Sequence, residues 1–116
     1  MRGLLALMLI APFGGNARAA EILVTPTYRI TVSERCEEGV VGCDKVSYVG
    51  VNIKSGKSMT LNGKSVMVMC ADGVTPCHLA YYEFKNGGVR YSVFPDGRLT
   101  VEKGGKVIVS ESGTWR

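Results

Sequence analysis

Four cysteines, Cys36, Cys43, Cys70 and Cys77, carry the strongest chemical signal in the chain. They fall in two equal spacings, C-x6-C twice. Thiols so arranged could hold a metal, act as nucleophiles or close into disulfides. Zinc ligands usually come as C-x2-4-C, and six intervening residues lie outside that range. The inserts EEGVVG and ADGVTP both hold turn residues, so each pair can clamp its own hairpin loop. The expected pairing is therefore Cys36–Cys43 and Cys70–Cys77. Chain entropy does not select it. A short loop of this kind contributes about 2.5 kcal/mol, and a long-range bridge such as Cys36–Cys77 only about 1.5 kcal/mol more.

The remaining inventory is poor in reactive groups. His78 is the sole histidine and no G-x-S-x-G is present, so an acyl-transfer triad fails. Cysteines locked in disulfides supply no thiolate nucleophile. His78, directly after Cys77, could orient a carboxylate such as Asp72, but a packed polar residue is the plainer reading. Glu34, Glu37, Glu38 and Asp44 crowd the first cysteine loop. Paired carboxylates do glycosidic chemistry only when a cleft holds them apart, and an exposed loop gives no cleft. The run GVNIKSGKS from Gly50 to Ser58 imitates a phosphate-binding loop, but five residues separate its glycines where four are needed. It reads as a polar turn between two strands. No catalytic residue, metal or cofactor is expected.

The N-terminus sets the compartment. The first 20 residues contain no Asp or Glu; Arg2 precedes the apolar run Gly3 to Pro12, and Ala17 and Ala19 form an A-x-A site. That layout predicts a signal peptide over residues 1–19, cleaved after Ala19, and one exported domain over 20–116. The apolar run is about half the length that spans a bilayer. No cysteine follows it to take a lipid anchor. A periplasmic or secreted destination follows, and with it oxidising conditions for the cysteines. Loss of Arg2 and Arg18 leaves 12 basic and 10 acidic residues, a net charge of +2. Such a balance is not the footprint of a nucleic-acid binder.

The elements that must position these groups read as strands. Tyr28, Ile30 and Val32 alternate with Arg29, Thr31 and Ser33. Val46 and Tyr48 are followed out of phase by Val51 and Ile53, which suggests a bulge at Val49-Gly50. Asn62-Gly63 reads as a hairpin turn, followed by Val66, Val68 and Cys70 in alternation. Beyond it, strands are expected over 78–85, 89–94, 98–102 and 106–110, parted by Asn86-Gly87-Gly88, Pro95-Asp96-Gly97 and Gly104-Gly105. No stretch remains for crossover helices. The fold class expected is all-β: a small antiparallel meander closing as a barrel or a sandwich, stapled by two disulfides.

Two surfaces stand out for contact. Tyr81, Tyr82, Phe84, Tyr91 and Phe94 crowd two neighbouring strands, and their alternation puts rings on both faces. One face can be core; Tyr81 or Tyr82 could line a pocket or a contact surface. The other candidate is the basic hairpin end Lys54, Ser55, Gly56 and Lys57. Ser55-Gly56 resembles the start of the S-G-x-x-Y loop motif of periplasmic lysozyme inhibitors, small exported β-domains whose loop enters the lysozyme cleft. The fifth position here is Met59, and the second S-G, Ser112-Gly113, puts Arg116 there. The resemblance implies that Lys54 or Lys57 pairs with a carboxylate in a partner's cleft. The functional expectation is a non-enzymatic exported interaction module of the inhibitor or immunity type, its partner an envelope protein such as a cell-wall hydrolase or toxin. Alternatives are a small-molecule or glycan-binding β-domain and an envelope structural component whose edge strands pair with neighbours.

Overall fold

The computed structural model describes residues 20–37, 39 and 41–116. The leader expected over 1–19 and Glu38 of the acidic group lie outside them. Nine strands follow in chain order: β1 (Glu21–Val24), β2 (Tyr28–Glu34), β3 (Val46–Asn52), β4 (Ser58–Met69), β5 (Pro76–Asn86), β6 (Val89–Val93), β7 (Arg98–Lys103), β8 (Lys106–Ser112) and β9 (Thr114–Trp115). Each of the first seven pairs antiparallel with the next, so β1 to β8 form an uninterrupted meander.

The last residues turn this sheet into a nearly closed barrel. β8 pairs with β7 as far as Arg98↔Ser112. The chain then crosses at Gly113, and β9 pairs with β1 through Val24↔Thr114 and Leu23↔Trp115. Gly113 donates to the Gly97 carbonyl at 2.8 Å, and Arg116 to that of Ile22 at 2.8 Å. A side chain on Gly113 would overlap the Val24 carbonyl, so the crossing needs glycine for close approach. The Trp115 indole donates to the Pro95 carbonyl at 2.9 Å and pins the end of the chain. β8 pairs with β7 alone, so among the described residues its other edge has no strand hydrogen-bonded to it.

There the seam is held by a side chain. Glu111 accepts from the Thr27 amide at 3.2 Å and the Thr27 hydroxyl at 2.5 Å. Partial burial opposes its charge, but hydrogen bonds from Thr27 and Thr25 outweigh this and hold the carboxyl below the ordinary glutamate range. A carboxyl whose folded-state pKa is depressed stabilises the fold above its unfolded-state pKa, and that contribution is lost as the pH falls through the folded-state value. Wild type should therefore melt above Glu111→Gln at pH 7. The gap should shrink below about pH 4.3, the free glutamate value, and vanish in stronger acid. Melting curves of the two proteins from pH 7 to pH 2 check this; a gap that is constant with pH would refute it.

Inward positions fill the core in rows that follow the strand register. Leu23, Ile30, Val46, Tyr48, Phe84, Val93 and Leu99 are almost fully buried, with Val32, Leu61, Tyr82 and Val101 close behind. Tyr48 and Phe84 meet with ring centres 5.1 Å apart, and Tyr48 and Tyr91 at 5.6 Å.

Two expected turns or bulges are corrected. Asn62-Gly63 is not a turn but the middle of the twelve-residue β4, where Gly63 pairs with Phe84. A Cβ there would stand 2.5 Å from the Phe84 ring and overlap the Glu83 carbonyl, so the glycine makes room for β5. Val49-Gly50 carries no bulge either, since β3 keeps register with both neighbours. Gly50 is inward, and the Tyr48 ring lies across it; an added Cβ would come within 2.7 Å of that ring. The irregularities fall at Val66/Met67, Val68/Met69 and Val101/Glu102 instead. The later turns form as expected. Gly104 and Gly105 both have positive φ, 59° and 79°, as a two-residue type I′ hairpin requires.

Both disulfides form in the expected pairing, Cys36–Cys43 and Cys70–Cys77. They staple the β2–β3 and β4–β5 connections, which lie at the same end of the barrel. The first loop is tied to β4: the Ser65 hydroxyl donates to the Cys43 carbonyl at 3.0 Å and accepts from the Cys43 amide at 2.7 Å.

Candidate functional site

The meander divides the connections between two ends. The disulfide loops, the β6–β7 turn and the β9 terminus share one. The β1–β2, β3–β4, β5–β6 and β7–β8 turns share the other. The candidate residues of the polar run lie at this second end.

Lys54, Ser55, Gly56 and Lys57 form the exposed tip of the β3–β4 hairpin. Its shape is set by Asn52. The Asn52 side-chain oxygen accepts from the Lys54 and Ser55 amides, both at 3.0 Å. Its backbone amide donates to the Lys57 carbonyl, and its carbonyl accepts from the Gly56 amide, each at 2.8 Å. Gly56 supplies the positive φ, 78°, that closes the turn. The Ser55 hydroxyl accepts from the Lys57 amide at 3.2 Å. Ile53 anchors the tip to the barrel by donating to the Thr27 carbonyl at 2.9 Å. Both lysine side chains remain in solvent, and among the described residues neither is ion-paired.

Beneath this loop the barrel is not filled. A cavity of about 170 Å³ opens between the turns. Tyr28, Tyr48 and Tyr91 form its walls with Met59, Leu99 and Val101, and Lys57 stands at its lip. Gly50 accounts for the space. It lies in the inward row Ile30, Gly50, Met59, contributes no side chain, and lets the Tyr48 ring lean across. The Tyr91 hydroxyl faces the Met59 sulfur at 3.7 Å. Tyr48 is 2% exposed, and its hydroxyl has no hydrogen-bond partner among the described residues. Burial, with the nearby phenols of Tyr91 and Tyr28 adding to it, pushes the Tyr48 pKa well up, so this phenol stays neutral.

Tyr81 and Tyr82 lie apart from this cavity and from each other. Tyr81 is on the outer face, its ring 5.2 Å from that of Phe94, which the Arg98 guanidinium covers at 3.9 Å. Tyr82 points inward and donates to Glu34 at 2.8 Å. It also borders an open depression of about 290 Å³ at the disulfide end, with Glu21, Leu79, Pro95 and Trp115. The acidic group is likewise dispersed: Glu34 is taken by Tyr82, and Glu37 and Asp44 are exposed on the first loop. Asp72 accepts from the Val74 and Thr75 amides at 2.9 Å and from the Thr75 hydroxyl, so its carboxylate is used within its own loop. His78 is exposed on β5, opposite Val68. Among the described residues no cluster of His, Cys, Asp or Glu could hold a metal ion.

Sequence reasoning did not single out Tyr28, Tyr48, Met59 and Tyr91 as a group. The available signal was the inward phase of three tyrosines beside an inward glycine. No family model, curated protein or solved structure matches the chain.

Proposed function

We propose that the chain is an exported, non-enzymatic interaction module of the inhibitor or immunity type. Its contact element is the hairpin Lys54, Ser55, Gly56 and Lys57, and its partner is an envelope protein with an acidic cleft, such as a cell-wall hydrolase or toxin. The observation that carries this reading is the Asn52-braced tip with two lysines that are not ion-paired among the described residues. A loop ordered before binding loses less conformational entropy on docking than a mobile one. Its ammonium groups gain charge-assisted hydrogen bonds when they meet carboxylates.

The test uses the oxidised domain as bait in envelope extracts, followed by direct binding and activity assays on each captured hydrolase or toxin. Lys54→Glu/Lys57→Glu should weaken binding by roughly a hundredfold or more, as expected when two favourable charge contacts become repulsive. Wild-type affinity should fall as salt rises. A partner that binds the doubly reversed variant as tightly as wild type would remove the hairpin from the interface. Failure to capture any envelope protein would remove the proposal itself.

A further inference from the structure

Beyond docking by the hairpin, the space beneath it has the attributes of a ligand site. Its volume, about 170 Å³, compares with the roughly 150 Å³ of an apolar cavity that accepts benzene. Its walls are mostly ring faces and aliphatic carbons from Tyr28, Tyr91, Met59, Leu99 and Val101. Such a lining suits one flat apolar ring.

Polar residues interrupt that lining, Asn52 and Ser58 among them, and two groups can orient a ligand from opposite depths. The inner one is the Tyr48 hydroxyl. It lies over Gly50, where an added Cβ would be 2.8 Å from the oxygen, and both residues line the cavity. The ring behind it is wedged against Phe84 and Tyr91, so the hydroxyl is held in place. Buried tyrosine hydroxyls ordinarily find a partner, and one that lacks it is costly to keep. Gly50 is what permits the arrangement, because any side chain at 50 would push the Tyr48 ring away. The outer polar group is the Lys57 ammonium at the lip, where it can pair with an anion while staying in contact with water.

We propose that this cavity binds a small monocyclic hydroxyaromatic acid. The ring lies among the tyrosines, its hydroxyl oxygen accepts from the Tyr48 phenol, and its carboxylate meets Lys57 at the mouth. Binding is non-covalent. Lys57 belongs to both the hairpin tip and the cavity lip, so an occupied cavity would engage one of the two lysines used for partner docking.

The probe is 4-hydroxybenzoate, titrated into the oxidised domain and followed by calorimetry and by the NMR signals of the tyrosine rings. Saturable one-to-one binding should perturb Tyr28, Tyr48 and Tyr91 and leave Tyr81 unmoved. Benzoate, which lacks the hydroxyl, and phenol, which lacks the carboxylate, should each bind roughly tenfold more weakly, the cost of one lost polar contact. Tyr48→Phe keeps the ring and the packing. It should bring 4-hydroxybenzoate down to the affinity of benzoate, with benzoate itself unchanged. Lys57→Gln should remove the advantage of 4-hydroxybenzoate over phenol. Lys54→Gln, outside the lining, should leave the phenol affinity and the preference for 4-hydroxybenzoate over benzoate as they are, which separates this site from the docking reading. The proposal is overturned if folded wild type binds none of the three at millimolar concentration. It is equally overturned if the perturbed rings lie elsewhere, or if Tyr48→Phe preserves the preference for the hydroxyl.

Discussion

Phe84→Ala is expected to remove about 3–5 kcal/mol of stability, the range for deleting a buried phenylalanine side chain. A domain of this size is stable by only about 5–15 kcal/mol, so the variant should give up a large share of its stability and approach unfolding at the lower end of that range. Phe84 is fully buried, pairs with Gly63 on one side and Tyr91 on the other, and meets the Tyr48 ring. No neighbour can collapse into the space, because Gly63 has no side chain and Tyr48 is already leaning over Gly50. Tyr81→Ala, three residues away on the same strand, should cost only about 1 kcal/mol, the order of one surface ring pair. Urea unfolding of both variants checks the contrast. Phe84→Leu serves as the milder substitution where alanine leaves no folded baseline. Equal losses at 81 and 84 would mean that the hairpin does not present one face to the core.

That contrast also shows how much of the fold was legible. Alternation along 81–94 placed rings on both faces, but it could not say which face was inside. The register decides: Phe84, Tyr91 and Val101 form one inward row across three strands. The strands after residue 76 were readable because real glycine-containing turns bound them, as at Gly104-Gly105. Asn62-Gly63 carried the same signal and misled. A glycine can serve a turn or a close approach, and here Phe84 needs its missing side chain. Gly50 misled in the same manner, since the apparent change of phase around it comes from a ring filling its place. Barrel rather than sandwich rests on Gly113, whose role is to let one chain pass between two carbonyl-lined edges. No local pattern announces such a crossing.

The candidate sites follow the same division. The hairpin Lys54, Ser55, Gly56 and Lys57 was visible as a run of turn residues, and Asn52 bracing it is a local interaction. The cavity was not visible, because Tyr28, Tyr48, Met59 and Tyr91 come from four strands and meet only through barrel closure. Cysteine pairing was readable because each bridge is local, spanning seven positions of chain.

Equal spacing makes the two bridges a controlled comparison. In the chain-entropy account they should contribute alike, about 2.5 kcal/mol each. Their surroundings differ. Cys43 is 2% exposed and belongs to the core, and its backbone is fixed to Ser65. Cys77 is exposed and Cys70 only half-buried. Replacing Cys36 and Cys43 by alanine therefore removes a bridge and also a sulfur from packed surroundings, a further loss of about 1 kcal/mol. Replacing Cys70 and Cys77 removes the bridge alone. Urea midpoints at matched slopes should rank wild type first, then the Cys70→Ala/Cys77→Ala protein, then the Cys36→Ala/Cys43→Ala protein. The quadruple variant should lose about 6 kcal/mol if the effects add. Ser65, to which Cys43 is fixed, lies on β4 and not in the second loop, so the two effects are expected to add closely. Equal losses for the two pairs would show that entropy alone accounts for both. A larger loss at Cys70–Cys77 would contradict the burial argument outright.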